Sequence, residues 1–164
     1  MSYPTLPTLP NTAPKMILTA GLPGAGKSTY LRNAGITLPC VDPDKIKEGF
    51  AGYDPKQPQV FHNESKKIAR SQHLTHLHLR QSFIVDGTGT NVDKYVAYIQ
   101  EAQSVGYVVE LHYVRVKLAT SLSRNASRER NVPNEVIFEK ANVIETTTRL
   151  IGSLCDTFIT IDND

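Results

Sequence analysis

The sequence is short of net charge, cysteine and long apolar runs, and each shortage excludes a class of protein. In 164 residues Lys and Arg number 18 against 16 Asp and Glu, a formal charge of +2. That balance permits a nucleic-acid partner without demanding one. Cys40 and Cys155 are far apart and form no metal-binding spacing, the pattern of a reduced cytosolic setting. No stretch is long and apolar enough to span a bilayer. The first residues lack the basic-then-apolar order of a secretory signal. The expectation is a cytoplasmic protein with no membrane partner. His62, His73, His76 and His78 crowd one segment, but no cysteine or acid completes a zinc set. The remainder is ordinary, 40% apolar and 21% charged, and suits one domain with a helix-covered sheet. Nothing in it signals an oligomeric state.

One motif organises what is present. Gly21-Leu22-Pro23-Gly24-Ala25-Gly26-Lys27-Ser28-Thr29 fits G-x-x-x-x-G-K-[ST], the phosphate-binding loop. It follows an apolar run, Met16 to Ala20, and opens a helical stretch. Glycines let backbone N–H groups turn onto phosphate oxygens, and the helix start adds positive potential. Lys27 is placed to reach the β and γ phosphates and Ser28 to hold Mg²⁺, with Thr29 supporting the helix start. The cofactors implied are ATP (or GTP) and Mg²⁺.

Residues 1–14 hold four prolines and repeat Thr-Leu-Pro, which reads as a flexible N-terminal arm. Residues 15–164 form the domain. Strands are expected over 15–20, 38–41, 82–85, 107–113 and 157–161. Pro39 argues for an edge position or a strand beginning in the second strand. Helices are expected over 27–33, from Asp42 as cap with Pro43 first, over 59–79, from Val92, over 117–128 and over 134–151. In the third helix Phe61, Ile68, Leu74 and Leu77 roughly share a face; in the fifth, Leu118 and Leu122 are the core candidates. The alternation predicts an α/β fold, a mostly parallel five-stranded sheet between helices, with ligands at the carboxyl ends of the strands.

The phosphate loop, Asp42/Asp44 and Asp86 all follow strand ends, so they meet on one rim. Phosphoryl transfer needs an acceptor oxygen in line with the γ phosphate, a base and neutralising charge. Asp44 is the candidate base with Asp42 in reserve; Asp42 is better explained as a cap or a magnesium-shell residue, and counts among the substrate-side groups. Lys47, three residues on, is a candidate for an acceptor phosphate or for the base itself. Asp86 ends an apolar strand as a magnesium carboxylate does. Thr88 is a weaker candidate for substrate contact, and Glu64 for substrate hydroxyls. Arg124 and Arg128 share a helix face and Arg130 follows, a cluster suited to a small arginine-bearing lid. Arg128 is the transition-state candidate, Arg124 the nucleotide contact and Arg130 a substrate contact.

These segments together resemble the small P-loop kinases of the zeta-toxin and polynucleotide-kinase group. Val41 to Lys47 is similar to that group's segment bearing its acceptor-activating aspartate, which falls on Asp44. His62-Asn63-Glu64-Ser65 and Val85-Asp86-Gly87-Thr88-Gly89 are similar to zeta-type segments. Arg124 to Arg128 followed by Val132-Pro133 resembles the lid of phage polynucleotide kinase. The resemblance runs over about residues 15–150. It implies an ATP-dependent kinase with an alcohol acceptor. Zeta toxins phosphorylate UDP-N-acetylglucosamine; polynucleotide kinases act on 5′ hydroxyls, and related phage kinases on hydroxymethylated DNA bases. The partners implied are a nucleoside triphosphate and a small-molecule or nucleic-acid acceptor. A nucleotide sugar is the favoured acceptor and nucleic acid the alternative, with a non-catalytic ATP-gated module third.

Overall fold

The computed structural model describes residues 13–129 and 131–164. Most of the expected arm (1–12) and Arg130 lie outside the described residues. The chain forms β1 (Lys15–Ala20), α1 (Lys27–Asn33), β2 (Cys40–Val41), α2 (Pro43–Glu48), α3 (His62–Leu79), β3 (Phe83–Val85), α4 (Val92–Ser104), β4 (Val108–Arg115), α5 (Leu118–Ala126), α6 (Asn134–Leu154) and β5 (Thr157–Asp162). The five strands lie in the order β2-β3-β1-β4-β5, and every pairing is parallel. After β1 the chain runs to one edge; after β3 it returns past β1 to the other. The carboxyl end of β1 is therefore where the strand order reverses, the place where open α/β sheets bind ligands.

Alternation along β1 divides the core. Met16 and Leu18 face a large cluster with Phe83, Val109, Leu111 and Ile151. Ile17 faces the other way, onto a small cluster with Leu31 and Ile84 beneath α1. Glu110 and His112, polar residues in an otherwise apolar β4, lie opposite Ile17 and Thr19 in register. Both are tied in. His112 Nδ1 is 2.7 Å from the Tyr30 hydroxyl of α1 and Nε2 is 2.8 Å from Glu110, which pairs with Lys15 at 2.8 Å. This chain of contacts fastens the helix after the phosphate loop to the sheet.

Two expected helix faces are corrected. In α3 the buried positions are Ser65, Ala69, His73 and Leu77, while Ile68 and Leu74 are exposed. Small residues let α3 approach closely, and His73 fills the remaining space with its ring 5.1 Å from Phe83 and 4.6 Å from Tyr98. In α5 the buried pair is Ser121 and Asn125, and Leu118 is exposed. That helix packs on backbone carbonyls, which need donors rather than methyl groups. β2 is the edge strand that Pro39 predicted, and the Pro39 carbonyl still accepts from Ile84 N–H.

Candidate active site

The phosphate loop joins β1 to α1 as its motif requires. Gly24 and Gly26 have φ of 78° and 89°, which side chains rarely adopt. A Cβ on Gly26 would also lie 2.5 Å from the Asn163 amide. The loop is braced from behind. Ser121 Oγ donates to the Pro23 carbonyl at 2.6 Å, and Asn163 Nδ2 to Ala25 at 2.6 Å. The Arg124 guanidinium donates to Gly24, Ala25 and Asn163 carbonyls at 3.3, 3.4 and 2.9 Å. With carbonyls held outward, the N–H groups are left to face the phosphate side. Arg124 is thus a brace of the loop in this structure, a use its spacing did not reveal.

Lys27 leads α1 and turns to the end of β3, donating to the Gly87 carbonyl at 2.9 Å and lying 3.6 Å from Asp86. Thr19, fully buried, fixes that carboxylate: its hydroxyl donates to Asp86 at 2.7 Å and accepts from Gly87 N–H at 3.1 Å. Ser28 is exposed in the first turn of α1. Asp86 and Ser28 offer hard oxygen donors at the mouth of the loop. That chemistry fits Mg²⁺, which keeps most of its waters. Among the described residues no three His, Cys, Asp or Glu form a metal-binding group, so a zinc-type site is not built.

The acceptor side begins at Asp42. It caps α2, its carboxylate accepting from Asp44 N–H at 3.0 Å and Lys45 N–H at 3.4 Å. Burial, then the charges of Asp86 and Asp44, raise its carboxyl above the ordinary range, and the two backbone bonds counter them. Asp44 is half exposed at 48% and lies 3.6 Å from Lys47, whose side chain is only 4% exposed. Lys47 is therefore a buried partner of Asp44 rather than a solvated surface lysine. Thr88 Oγ1 is 3.0 Å from Thr90 Oγ1, and the Thr88 carbonyl accepts from Gly21 N–H, joining the loop after β3 to the phosphate loop. Glu64 is exposed in the first turn of α3 and makes no ion pair among the described residues.

Arg128 lies half-buried in the turn beyond α5. The segment after it is clipped by Asn125, whose amide donates to the Val132 carbonyl at 2.9 Å and accepts its N–H at 3.1 Å.

Sequence reasoning missed Thr19, Asn163 and Lys140, each of which touches the loops at the site. Lys140 Nζ lies 3.5 Å from both Thr88 and Thr90 hydroxyls. Ile137 and Ile144 are buried on α6, and a residue three past Ile137 shares their face. A lysine on an inward stripe was the available signal. Thr19 and Asn163 left none, because their partners are distant in sequence.

Among solved structures the likeness is one of fold. A chain from the PezAT chromosomal toxin–antitoxin system of the human pathogen Streptococcus pneumoniae has 20% identity over 93% of this chain and 69% of its own, at TM-score 0.69. AvrRxo1-ORF1:AvrRxo1-ORF2, solved with ATP, has 22% identity over 84% of this chain at TM-score 0.65, and this chain spans about half of it, 48%. The Pnkp1/Rnl/Hen1 RNA repair complex gives 18% identity over 84% of this chain and 46% of that chain, at TM-score 0.60. A search of curated protein sequences finds no match. The sequence model of the zeta toxin family matches residues 5–157, nearly the whole chain. With the braced phosphate loop, the parallel sheet and the arginine-bearing segment after α5, the chain belongs to the zeta toxin family and has its P-loop kinase fold.

Proposed function

We propose that this chain moves the γ-phosphoryl group of ATP to an acceptor hydroxyl, with Asp44 as base. The single observation that supports the reading is Asp44 in the first turn of α2, half-exposed and paired to the buried Lys47. Asp44 takes the acceptor proton as the acceptor oxygen bonds to the γ phosphorus. The bond from phosphorus to the bridging oxygen breaks, and ADP leaves with that electron pair. Lys27 leaves the Gly87 carbonyl for the phosphate oxygens, and Arg128 adds charge over the transferring group. Arg124 keeps the loop's N–H groups aimed. Ser28 and Asp86 would hold Mg²⁺, which would supply positive charge for the phosphate oxygens.

Family membership supports a nucleotide sugar or similar small molecule as acceptor. Lys45, Lys66 and Lys67 are exposed on α2 and α3, and this favours nucleic acid as the second reading, for which acceptor binding weakens steeply with salt. Asp42, Lys47, Glu64 and Thr88 are the acceptor contacts proposed, with Arg130. The unpaired Cys40 and Cys155 suit a cytoplasmic setting. Among the described residues no helix is long and apolar enough to cross a membrane.

The test is transfer of labelled phosphate to a panel of nucleotide sugars, 5′-hydroxyl oligonucleotides and modified-base DNA. Asp44→Asn is expected to keep ATP binding and to lose about 10²–10⁴-fold in transfer. Equal turnover in that variant removes Asp44 from the mechanism.

A further inference from the structure

Asn163, just beyond β5, touches three elements that meet behind the phosphate loop. Its N–H donates to the Arg115 carbonyl at the end of β4, at 2.9 Å. Its own carbonyl accepts from the Arg124 guanidinium of α5 at 2.9 Å. Its side chain meets the Ala25 carbonyl at 2.6 Å; a carbonyl only accepts, so the amide nitrogen is the group that faces it. Asp164 continues the contact. The Lys117 side chain does not cap α5, and the first turn of that helix holds no acid. The Asp164 carboxylate serves instead, accepting from Lys117 N–H at 2.8 Å and from the Thr120 hydroxyl at 2.7 Å. Two adjacent residues thus hold the loop on one side and the helix bearing Arg124 on the other. The fit is close. A Cβ on Gly24 would lie 3.0 Å from the Arg124 Cβ, and one on Gly26 2.5 Å from the Asn163 amide nitrogen. The motif's glycines are therefore required by what presses on the loop from behind, as well as by their φ angles. The zeta toxin match ends at residue 157, so these contacts lie outside what family membership supplies.

We propose that Asn163 is a positioning residue for the phosphate chain of the nucleotide, and that with Asp164 it joins the phosphate loop and α5 into one unit. The proposal rests on the reading of the loop as a triphosphate site. In a trans peptide the C=O and the following N–H lie in one plane and point in opposite directions. Holding the Ala25 carbonyl from behind therefore turns the Gly26 N–H to the front of the loop. A carboxylate at position 163 has no hydrogen to give and sets an acceptor against an acceptor. The peptide plane is then released, and a phosphate-binding donor loses its direction. The same two residues hold α5, which leads to Arg128, so the loop and the arginine-bearing segment keep one relative placement.

The experiment measures, on the whole chain, calorimetric binding of a non-hydrolysable ATP analogue with Mg²⁺ and displacement of that analogue by inorganic triphosphate. Asn163→Ala, which removes the donor, is expected to weaken the analogue about three- to tenfold, the net scale of one hydrogen bond. Asn163→Asp, equal in size, is expected to weaken it further. Inorganic triphosphate is expected to weaken by the same factors, because the effect acts on the phosphate chain and not on the nucleoside. Arg124→Gln combined with Asn163→Ala is expected to lose less than the product of the two single losses, since both side chains grip the Ala25 carbonyl. Thr160→Ala, on the exposed edge strand, is the control and leaves both affinities level. Urea denaturation shows that each variant is folded, and Asn163→Ala carries the test alone where Asn163→Asp does not fold. The proposal is overturned if both Asn163 variants bind the analogue as the unaltered chain does. It is overturned also if they weaken the analogue but not inorganic triphosphate, which places Asn163 on the nucleoside, or if the losses multiply in the double variant. In each of those cases the triphosphate reading of the loop stands; an unaltered chain that binds neither ligand sinks that reading and the proposal with it.

Discussion

The two sides of the cleft handle charge in opposite ways. On the donor side the charged groups have partners in the protein: Lys27 with Gly87 and Asp86, Asp86 with Thr19, Arg124 with three carbonyls. On the acceptor side Lys94 and Lys140 are half-buried near other cations, with the Asp44 charge opposing them and Glu139 also opposing Lys140. The donor side recognises a triphosphate tail through backbone N–H groups, so its geometry is fixed by glycine placement and bracing. The acceptor side proposed here is lined by charged side chains on helices rather than by backbone, which substitutions can retune without disturbing the sheet. A shared fold with divergent acceptors follows from that division.

The sharpest way to break the comparison is Lys27→Ala. It is expected to weaken ATP-analogue binding and to cut phosphoryl transfer by about 10²-fold or more, whereas Asp44→Asn is expected to leave ATP-analogue binding level. An unchanged ATP affinity in Lys27→Ala, read by calorimetry, removes the donor side's central contact.

A second test separates site effects from folding. His73 is buried, its Nε2 has no hydrogen-bond partner, and burial followed by the Arg70 charge lowers its basicity to about 4 from 6.5. The unfolded chain therefore takes up a proton that the folded chain refuses. The stability present above pH 6.5 is lost as pH falls towards 4, by up to about 3 kcal/mol at 1.36 kcal/mol per unit. Urea denaturation across that window is expected to show the slope, and His73→Gln to flatten it. A slope that persists in His73→Gln assigns the acid sensitivity to other groups.

The smallest effect concerns the thiols. Cys40 is exposed at the sheet edge, yet desolvation of its thiol, then the Asp86 and Asp42 charges, push it up to about 12, while Cys155 reaches about 12 through burial and Asp156. Both are expected to alkylate slowly at pH 7–9, because the thiolate is the reactive form. Asp86→Asn is expected to speed Cys40 and leave Cys155 unchanged. Equal rates at Cys40 with and without Asp86 show that the rim carboxylates do not act together.

Local rules made much of this legible. The motif placed β1, the loop and α1 over Lys27–Asn33, and the Asp42-Pro43 pair placed the start of α2. Pro39 placed β2 at an edge. The α3 and α5 faces were not legible, because an apolar-stripe reading assumes an apolar neighbour. α3 meets its neighbours through small residues and His73, and α5 meets loop carbonyls through Ser121 and Asn125. Lys140 is hard to read for the same reason, since a lysine between the buried Ile137 and Ile144 breaks an apolar stripe while sharing its face.

The sequence by itself determined where phosphate binds, since glycine spacing and the following lysine and serine act within one turn of chain. It also determined the parallel α/β order, since strand and helix periods alternate along it. Only the tertiary structure decided what holds that loop and what faces it. Thr19 meets Asp86 across a strand pairing, Asn163 meets Ala25 from the far end of the chain, and Lys140 meets Thr88 from α6. Such contacts depend on which strands are neighbours and how helices cross the sheet, and no local spacing encodes them.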